Sequence, residues 1–313
     1  MRIDLVVNPQ ASQYRRRPAL LERVCCSARG RCAVHVTADL DELGGLCREL
    51  ARRGTDLVIL SGGDGTLMAG VTALADAFGP ERLPAVAPIP GGTVGTVARN
   101  WGVRGTPVRC LRQLLDRPAP AHRRPSIEIT AETARGTERR IGFIWGTGLV
   151  ASFFRSYYEH GAPGHAGAAA LVARIFLGSF AGRAYAREVL DPLPCTLEVE
   201  GETLAPTAWS LVCCAVVPDL GIHMMVTYRA AEDPQRPHLV ASALAPRQLG
   251  PRAPLVLAGR RIGGRNHVDR LVRQLVLRFP SVGPYVLDGE LLEASRVTVR
   301  AGPQIAVVTP ARP

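Results

Sequence analysis

Short apolar runs alternate with longer amphipathic segments over the first third of the chain. The runs are four or five residues long and rich in β-branched residues, whereas the segments between them have helical spacing. Strands alternating with helices are typical of a parallel sheet covered by helices on both faces. We therefore expect residues 1–124 to form an α/β domain. The predicted strands are 3–7, 33–36, 56–60 and 85–89, and the clearest helices are 40–53 and 67–78.

The pattern changes after a segment rich in proline and arginine at 117–125, which predicts an interdomain linker. Beyond it, apolar runs with period-two alternation are joined by Gly/Pro turns, a pattern typical of an antiparallel β-sandwich. We expect this second domain to cover 125–303, with a helical insertion at about 166–187, and the tail 304–313 to pack back on the first domain. The predicted strands are 126–132, 139–145, 195–200, 209–217, 224–229, 271–279 and 297–300.

Composition narrows the chemistry. The basic residues are 38 arginines, and lysine is absent from the chain. This excludes enzymes that need a lysine amine, including Schiff-base and pyridoxal-phosphate enzymes and the Walker A and protein-kinase nucleotide sites. The net charge of +11 indicates an anionic partner, such as a nucleotide or an acidic membrane surface. No zinc-finger spacing, aromatic RNA-binding motif or leucine zipper accompanies the charge, so we expect no nucleic-acid partner.

The lack of a recognisable targeting signal and the spacing of the cysteines predict a cytoplasmic protein. The eight cysteines include no C-x-x-C pair, and reduced thiols are the simplest account of them. The N-terminus carries no apolar leader segment. The longest apolar stretch, 166–182, is interrupted by Arg174 and is too short to span a bilayer. We expect at most a peripheral location on the inner face of the membrane.

A glycine-rich loop, SGGDGT at 61–66, follows the third predicted strand and opens a helix. Adjacent glycines let backbone N–H groups approach an anion, and the helix N-terminus favours negative charge there. Thr66 can cap the helix or donate to a phosphate. Asp64 suits either a phosphate met through Mg²⁺ or a proton-transfer role. A tight strand-to-helix turn with Asp64 as an ordinary cap is the alternative.

A second loop, PGGTVGT at 90–96, follows the fourth strand and opens another helix. Loops at successive strand ends face one crevice in an open α/β sheet, where ligands bind. Two converging loops of this kind fit a nucleoside triphosphate better than two unrelated turns.

Four motifs together resemble a known family. GGDGT at 62–66 is followed by PGGTVGTVAR at 90–99, Asn8-Pro9 closes the first strand, and Asp288-Gly289-Glu290 lies near the C-terminus. In order and spacing they resemble the catalytic domain shared by diacylglycerol kinases, sphingosine kinases and bacterial lipid kinases. The resemblance implies an N-terminal α/β nucleotide-binding domain, a C-terminal β-sandwich and an active site in the cleft between them.

The resemblance also implies roles for individual residues. Glu290 would be the catalytic carboxylate that takes the proton from a lipid hydroxyl, and Asp64 would serve the Mg²⁺–phosphate centre or act as the base itself. From the residues alone, Glu290 is equally a turn carboxylate, because Asp-Gly is a strong hairpin signal. The implied ATP-binding residues are Asn8, Thr37, Gly62, Gly63, Asp64, Gly65, Thr66, Gly92 and Thr93.

Two departures from the family pattern bear on catalysis and on a structural metal. Gly95 and Thr96 stand where the family usually has Asn-Asp. The segment 218–226 lacks the Asp-Gly pair that bacterial members link to a structural Mg²⁺, and Asp219 lies at a different spacing. A homologue that binds lipid or nucleotide without turnover therefore stays open.

The sequence as a whole predicts an ATP- and Mg²⁺-dependent lipid kinase acting on a hydroxyl of a diacylglycerol- or sphingoid-type lipid. An NAD kinase-like enzyme is a further alternative, although the Asn-Glu pair and Gly-Ser-Thr-Ala loop it requires are not found. Apolar residues at 153–158 and 171–180 either line an acceptor tunnel or form core. A homodimer is left open. Four arginines either make transient contact with an anionic membrane or lie on solvated helix faces: Arg155, Arg174, Arg183 and Arg187.

Overall fold

The computed structural model describes residues 1–159, 161, 164–180 and 183–311. Contacts divide the chain into two compact units. The first comprises Met1–Pro125 with Pro303–Pro313, and the second comprises Ser126–Gly302.

The described residues form the following strands and helices. The strands are β1 (Ile3–Val7), β2 (Ala33–Val36), β3 (Leu57–Gly62), β4 (Ala85–Pro90), β5 (His122–Arg124), β6 (Ile127–Thr133), β7 (Gly136–Gly142), β8 (Ile144–Gly148), β9 (Leu193–Pro194), β10 (Thr196–Val199), β11 (Glu202–Thr203), β12 (Ala208–Trp209), β13 (Leu211–Ala215), β14 (His238–Ser242), β15 (His267–Leu271), β16 (Gln274–Leu287), β17 (Glu290–Ala301) and β18 (Ile305–Val307). The helices are α1 (Ser12–Arg16), α2 (Pro18–Ala28), α3 (Leu40–Arg53), α4 (Asp64–Phe78), α5 (Thr96–Asn100), α6 (Pro107–Asp116), α7 (Leu149–Glu159), α8 (Gly164–Phe180), α9 (Ala184–Leu190), α10 (Pro246–Leu249) and α11 (Ala253–Leu257), with a 3-10 turn at Gly250–Arg252.

The first unit is built on a six-stranded sheet with the order β2-β1-β3-β4-β18-β5. The pairings β2–β1, β1–β3, β3–β4 and β4–β18 are parallel, and the pairing β18–β5 is antiparallel. Because β1, β3 and β4 end at the same edge, the segments after Val7, Gly62 and Pro90 emerge side by side. This edge positions the candidate site.

Local sequence explains the regular elements of this unit. Helix α3 begins where the Asp39 carboxylate accepts the N–H of Glu42 at 2.8 Å, while the Glu42 carboxylate accepts the N–H of Ala38 at 2.8 Å. It ends at Gly54, whose φ of +67° is left-handed. Fully buried apolar side chains such as Leu5 and Ile59 form the core of the sheet.

The predicted linker at 117–125 was wrong in part, because it contains β5. The three-residue strand His122–Arg124 pairs with β18 across the sheet edge. The sequence His-Arg-Arg carries no strand signal, because it lacks the β-branched and aromatic residues that are enriched in strands. Backbone pairing with β18 forms this strand, and that partner lies far away in the sequence.

The second unit is built on a ten-stranded antiparallel sheet, and the predicted fold class is confirmed. Its main path runs β15-β14-β13-β8-β16-β17-β6-β7, with β10 and β11 joined to β16. Strands β16 and β17 form one long hairpin, with an irregular register between Arg278 and Gly283. The end of this hairpin also pairs with β8, so three strands meet near Leu287.

Two predictions for the second unit were wrong. The segment 224–229 was expected to be a strand but forms turns, following Ile222 and His223, which both have left-handed backbone angles. Its apolar residues still pack, since Val226 belongs to a buried cluster, and burial rather than strand formation explains the run. The helical insertion is larger than predicted and comprises α7, α8 and α9. Ile175 of α8 lies in the same cluster, whereas Leu177 is exposed.

Within the described residues, no helix has the combination of length and apolarity needed to cross a bilayer.

Candidate functional site

The two glycine loops of the first unit are in direct backbone contact. The carbonyl oxygen of Gly62 accepts the N–H groups of Gly91 at 2.7 Å and Gly92 at 3.0 Å. A Cβ atom on Gly92 would overlap the Cα of Gly63. The glycines are therefore required for the loops to pack on each other, in addition to any approach to a ligand.

Asn8 connects the end of β1 to the first glycine loop. Its side-chain Nδ2 donates to the hydroxyl of Thr66 at 2.9 Å, and its backbone N–H donates to the carbonyl of Ser61 at 3.0 Å. The Thr66 side chain packs so closely over Gly62 that a Cβ there would overlap it. Asn8, Gly62 and Thr66 thus form one packed group, as expected for residues of a single loop site.

Helix α1 supports the second glycine loop, which the sequence did not indicate. Gln13 donates its backbone N–H to the carbonyl of Gly91 at 3.1 Å and its Nε2 to the carbonyl of Gly92 at 2.8 Å. The Thr93 hydroxyl donates to the hydroxyl of Ser12 at 2.8 Å. The only sequence signal was a run of polar residues shortly after Asn8-Pro9, which is a common feature of loops.

Tyr14, on the same helix, packs between the loops. Its ring lies where a Cβ of Gly91 would be, 2.7 Å from the nearest ring atom. Its hydroxyl is 2.5 Å from the hydroxyl of Ser61 at the end of β3. Burial raises the pKa of Tyr14 to about 12, so the phenol stays neutral at physiological pH.

Asp64 points from the first loop to the start of α5. Its carboxylate accepts the backbone N–H of Thr96 at 2.7 Å and that of Val97 at 3.0 Å. Gly95, which precedes them, has a φ of +63°, a conformation that favours glycine. Burial raises the pKa of Asp64 above its ordinary value, while the two N–H donors and the nearby guanidinium of Arg99 oppose the rise.

Thr37 and Gly65 are two further residues that the resemblance implies for nucleotide binding. Thr37 follows β2, is half-buried, and donates its backbone N–H to Val7 at 3.1 Å, which places it at the same sheet edge. Gly65 lies in the first turn of α4. In the described residues, no side chain caps the start of that helix at Gly63. Its first N–H groups therefore have no side-chain cap and suit an anion.

In the second unit, Asp288 and Gly289 form the turn that joins β16 to β17. Both have positive φ, +48° and +88°, as a type I′ hairpin turn requires. Glu290 is the first residue of β17 and pairs with Leu287. The hairpin that the Asp-Gly pair predicts is therefore present, and it fixes where the Glu290 backbone lies.

The Asp288 side chain holds this turn against the neighbouring strands. Its carboxylate accepts the N–H of Phe143 at 3.0 Å and that of Ile144 at 2.9 Å, and its own N–H donates to the carbonyl of Ile144 at 2.9 Å. The side chain is buried, so these bonds supply the partners that a buried carboxylate needs.

The Glu290 carboxylate is half-exposed and lies beside the guanidinium of Arg140. Oε2 lies 3.6 Å from Nη1 of Arg140, a residue of β7. Burial raises the pKa of Glu290 above its ordinary value, and the Arg140 charge opposes the rise. The Tyr158 hydroxyl of α7 donates to the carbonyl of Gly289, and the Phe154 ring lies within 4 Å of a Cβ built on that glycine.

Aromatic side chains of α7 gather beside this turn. Phe153, Phe154, Tyr157 and Tyr158 form ring contacts with centroid distances of 5.5 to 6.3 Å. Tyr158 remains 47% exposed, so part of the cluster is open to a ligand. Arg174, one of the arginines expected at a membrane, stacks over the Tyr185 ring at 4.5 Å. The side chains of Phe180 and Arg187 lie outside the described part of the chain.

A protein-only metal site is not present among the described residues, where no group of three or more His, Cys, Asp or Glu side chains could hold an ion. In the segment that replaces the family's Asp-Gly pair, the Asp219 carboxylate accepts the N–H of Gly221 at 2.9 Å. It serves a local turn.

Residues 2–121 match the family model described as the diacylglycerol kinase catalytic domain. Three solved structures from Bacillus anthracis str. Sterne, one described as a diacylglycerol kinase and two provisionally so, share the fold. Their sequence identities are 17%, 16% and 17%, and their TM-scores are 0.68, 0.61 and 0.67. The matches cover 100%, 100% and 98% of this chain and 97%, 97% and 96% of the others. No curated protein matches the sequence.

Proposed function

Residues 2–121 belong to the diacylglycerol kinase catalytic-domain family, as the motifs predicted, and from that premise we propose that the protein is an ATP-dependent lipid kinase. It would transfer the γ-phosphoryl group of ATP to a hydroxyl of a diacylglycerol- or sphingoid-type lipid. The observation that carries the proposal is the direct packing of the two glycine loops, in which Gly62 accepts the N–H groups of Gly91 and Gly92. This packing brings the starts of α4 and α5 to one edge of the sheet.

We assign ATP to this edge. Backbone N–H groups at a helix N-terminus can bind phosphate without lysine, and the start of α4 offers such groups. Thr66 and Thr93 add hydroxyl groups at the two loops. Asn8 and Thr37 end the neighbouring strands and complete the proposed nucleotide site.

Mg²⁺ would accompany the nucleotide, where it neutralises charge on the phosphates. Mg²⁺ is usually held by one or two carboxylates together with phosphate oxygens and water, so a single protein carboxylate is enough. Asp64 is that carboxylate in our proposal. Its two oxygens accept the N–H groups of Thr96 and Val97, and the Thr96 hydroxyl also bonds to the carboxylate, which leaves one of its roughly four acceptor positions for the ion.

Glu290 is the proposed proton acceptor for the lipid hydroxyl. Its carboxylate is partly exposed, its backbone is fixed by the hairpin turn, and burial raises its pKa towards the working pH. The aromatic cluster of α7 packs on the same turn through Phe154 and Tyr158. An apolar surface beside a carboxylate suits a lipid alcohol better than a polar acceptor.

A binding protein without turnover is the second candidate. Two features favour it. Both oxygens of Asp64 already bond to the start of α5, through the N–H groups of Thr96 and Val97. In addition, this chain has Thr96 at a position where the family usually has an Asp. In this case ATP would bind at the glycine loops, and no phosphorylated product would form.

The test is transfer of label from γ-labelled ATP with Mg²⁺ to lipids in mixed micelles. The panel contains diacylglycerol, monoacylglycerol, ceramide, sphingosine and phosphatidylglycerol, with NAD as a separate acceptor. Wild type is compared with Glu290→Gln and with Glu293→Gln, the control three residues further along β17.

Label in one lipid, lost in Glu290→Gln and kept in Glu293→Gln, supports the lipid kinase with Glu290 as the base. Label in NAD identifies the NAD kinase-like alternative. Bound ATP without any labelled product identifies the binding protein.

A further inference from the structure

Glu290 shares the guanidinium of Arg140 with a second carboxylate. Nη2 of Arg140 donates to Oε2 of Glu138 at 3.0 Å, whereas Nη1 lies 3.6 Å from Oε2 of Glu290. The Thr133 hydroxyl shares its one hydrogen between the Gly136 carbonyl at 3.0 Å and Oε1 of Glu138 at 3.3 Å. Arg140 is thus anchored at one end by the β6–β7 hairpin, and its other end faces Glu290.

We propose that Arg140 is a positioning residue for phosphoryl transfer. Glu138 anchors the Arg140 guanidinium, and the guanidinium orients the Glu290 carboxylate for accepting a proton. This inference rests on the proposed function, because it takes Glu290 as the proton acceptor. Arg140 itself touches neither the nucleotide nor the lipid in this account. It acts through Glu290.

The groups that face Glu290 come from three elements. Strand β7 contributes Arg140, the one charged partner that the described residues give this carboxylate. Helix α7 contributes Tyr158 and strand β16 contributes Tyr285, and burial raises the pKa of both phenols, that of Tyr285 to about 12. Both phenols are therefore neutral at physiological pH, and Arg140 dominates the charge around Glu290.

Two opposing effects set the protonation of Glu290. Burial disfavours the ionised carboxylate, and the Arg140 cation favours it. Without Arg140, burial acts alone and the carboxylate also loses its ion-pair partner. Glu138→Gln keeps an oxygen that can anchor the guanidinium but removes the competing negative charge, so the Arg140 cation acts on Glu290 alone. The two changes should therefore move the titration of Glu290 in opposite directions.

The experiment compares Arg140→Met, Glu138→Gln and a matched control, Arg139→Met. Arg139 is the adjacent residue of β7, points to the other face of the strand, and pairs with Glu128 at 3.0 Å. The full-length chain is labelled with ¹³C at the glutamate carboxyl carbons. The Glu290 resonance is identified by its loss in Glu290→Gln and then titrated in each variant.

We expect Arg140→Met to raise the titration midpoint of Glu290 by about one unit, which is typical for removal of an opposite charge at this distance. Glu138→Gln should lower the midpoint, and Arg139→Met should leave it unchanged. Arg140→Lys keeps the charge and should stay within a few tenths of wild type, which also serves if Arg140→Met folds poorly. An unchanged midpoint in Arg140→Met overturns the proposal.

The second measurement is the pH profile of kcat with diacylglycerol in mixed micelles, where the acid limb should move upward in Arg140→Met with the midpoint. A limb that stays in place while the midpoint moves shows that Glu290 is not the proton acceptor, and it overturns the positioning role. A wild-type chain that labels no lipid overturns the proposed function and that role together. The titration would still decide, independently of activity, whether Arg140 controls Glu290.

Discussion

The Asp64 carboxylate accepts the backbone N–H of Thr96 at 2.7 Å, across 32 residues of sequence. With a second bond from Val97, it acts as a cap for a helix to which it does not belong. The first glycine loop therefore holds the start of α5 in place. An acidic residue whose sequence context suggests phosphate chemistry also has a structural role, so its replacement should affect both stability and activity.

Asp64→Asn should lower stability by about 1 kcal/mol, the usual cost of losing a helix cap. The amide keeps one acceptor oxygen, but its NH₂ group must face an N–H donor. Thermal unfolding measures the loss, and label transfer from ATP should fall with it. Asp39→Asn, which alters the cap of α3, is the matched control: its amide oxygen keeps the bond to the Glu42 N–H, so stability and ATP binding should both stay close to wild type. Wild-type stability in Asp64→Asn would rule out the capping role.

Gly92→Ala should abolish ATP binding, because the added Cβ would overlap the Cα of Gly63 and force the glycine loops apart. Isothermal titration with ATP and Mg²⁺ measures this effect. Gly44→Ala is the control, since its Cβ would meet nothing nearer than the flexible end of Arg48 at 3.6 Å. It should raise stability by about 0.5–1 kcal/mol through helix propensity. ATP affinity that survives in Gly92→Ala would place the nucleotide elsewhere.

The fold of the first unit could be predicted because its signals are local. Strands β1 and β2 and helix α3 have the predicted bounds, since each is marked by its own apolar pattern and, for α3, by Asp39 and Gly54 at its ends. Strand β5 could not be predicted in this way, because it depends on pairing with β18, at the other end of the sequence. In the second unit the turns at 224–229 escaped prediction for a related reason. Apolar residues there are buried by tertiary packing, which a period-two pattern does not distinguish from a strand.

The candidate site was predictable only as far as glycine and acidic motifs mark it. The motifs located Gly62, Gly92, Asp64 and Glu290, but they carried no information on which side chains hold these residues. Gln13 and Arg140 have ordinary sequence contexts, and their roles follow from contacts made 79 and 150 residues away. Such contacts depend on which strand ends lie together, and this becomes visible only in the folded chain.

Gln13→Ala should weaken ATP binding about fivefold, the equivalent of one hydrogen bond of about 1 kcal/mol. The bond lost joins Nε2 to the carbonyl of Gly92, while the backbone bond to Gly91 remains. The dissociation constant for ATP measures the effect, with Gln113→Ala on α6 as the control. Equal affinities in the two variants would show that the second loop keeps its shape without this support.

Activity should decline as pH falls through the raised pKa of Glu290, because the proton acceptor must be ionised. The midpoint of this decline should lie above the ordinary glutamate value of 4.5. It is measured from kcat over KM for the lipid acceptor, recorded against pH at saturating ATP and Mg²⁺. A profile that stays flat well below neutral pH, down to the ordinary carboxylate range, would falsify the assignment of Glu290 as the base.

Stability should respond to the same carboxyl with the opposite sign. Since the folded state raises the pKa of Glu290, it retains the proton in a pH range where the unfolded chain releases it. The contribution of Glu290 to the free energy of unfolding therefore decreases as pH rises from 4.5 through the raised value, and it stays low above it. Glu290→Gln removes this dependence, so its melting temperature at pH 8 should equal or exceed that of wild type, while activity is lost. The difference between the two melting temperatures, followed from pH 4 to pH 8, should grow in favour of the variant. If Glu290→Gln instead loses stability relative to wild type as pH rises from 4 to 8, the attraction of Arg140 outweighs the burial of the carboxylate.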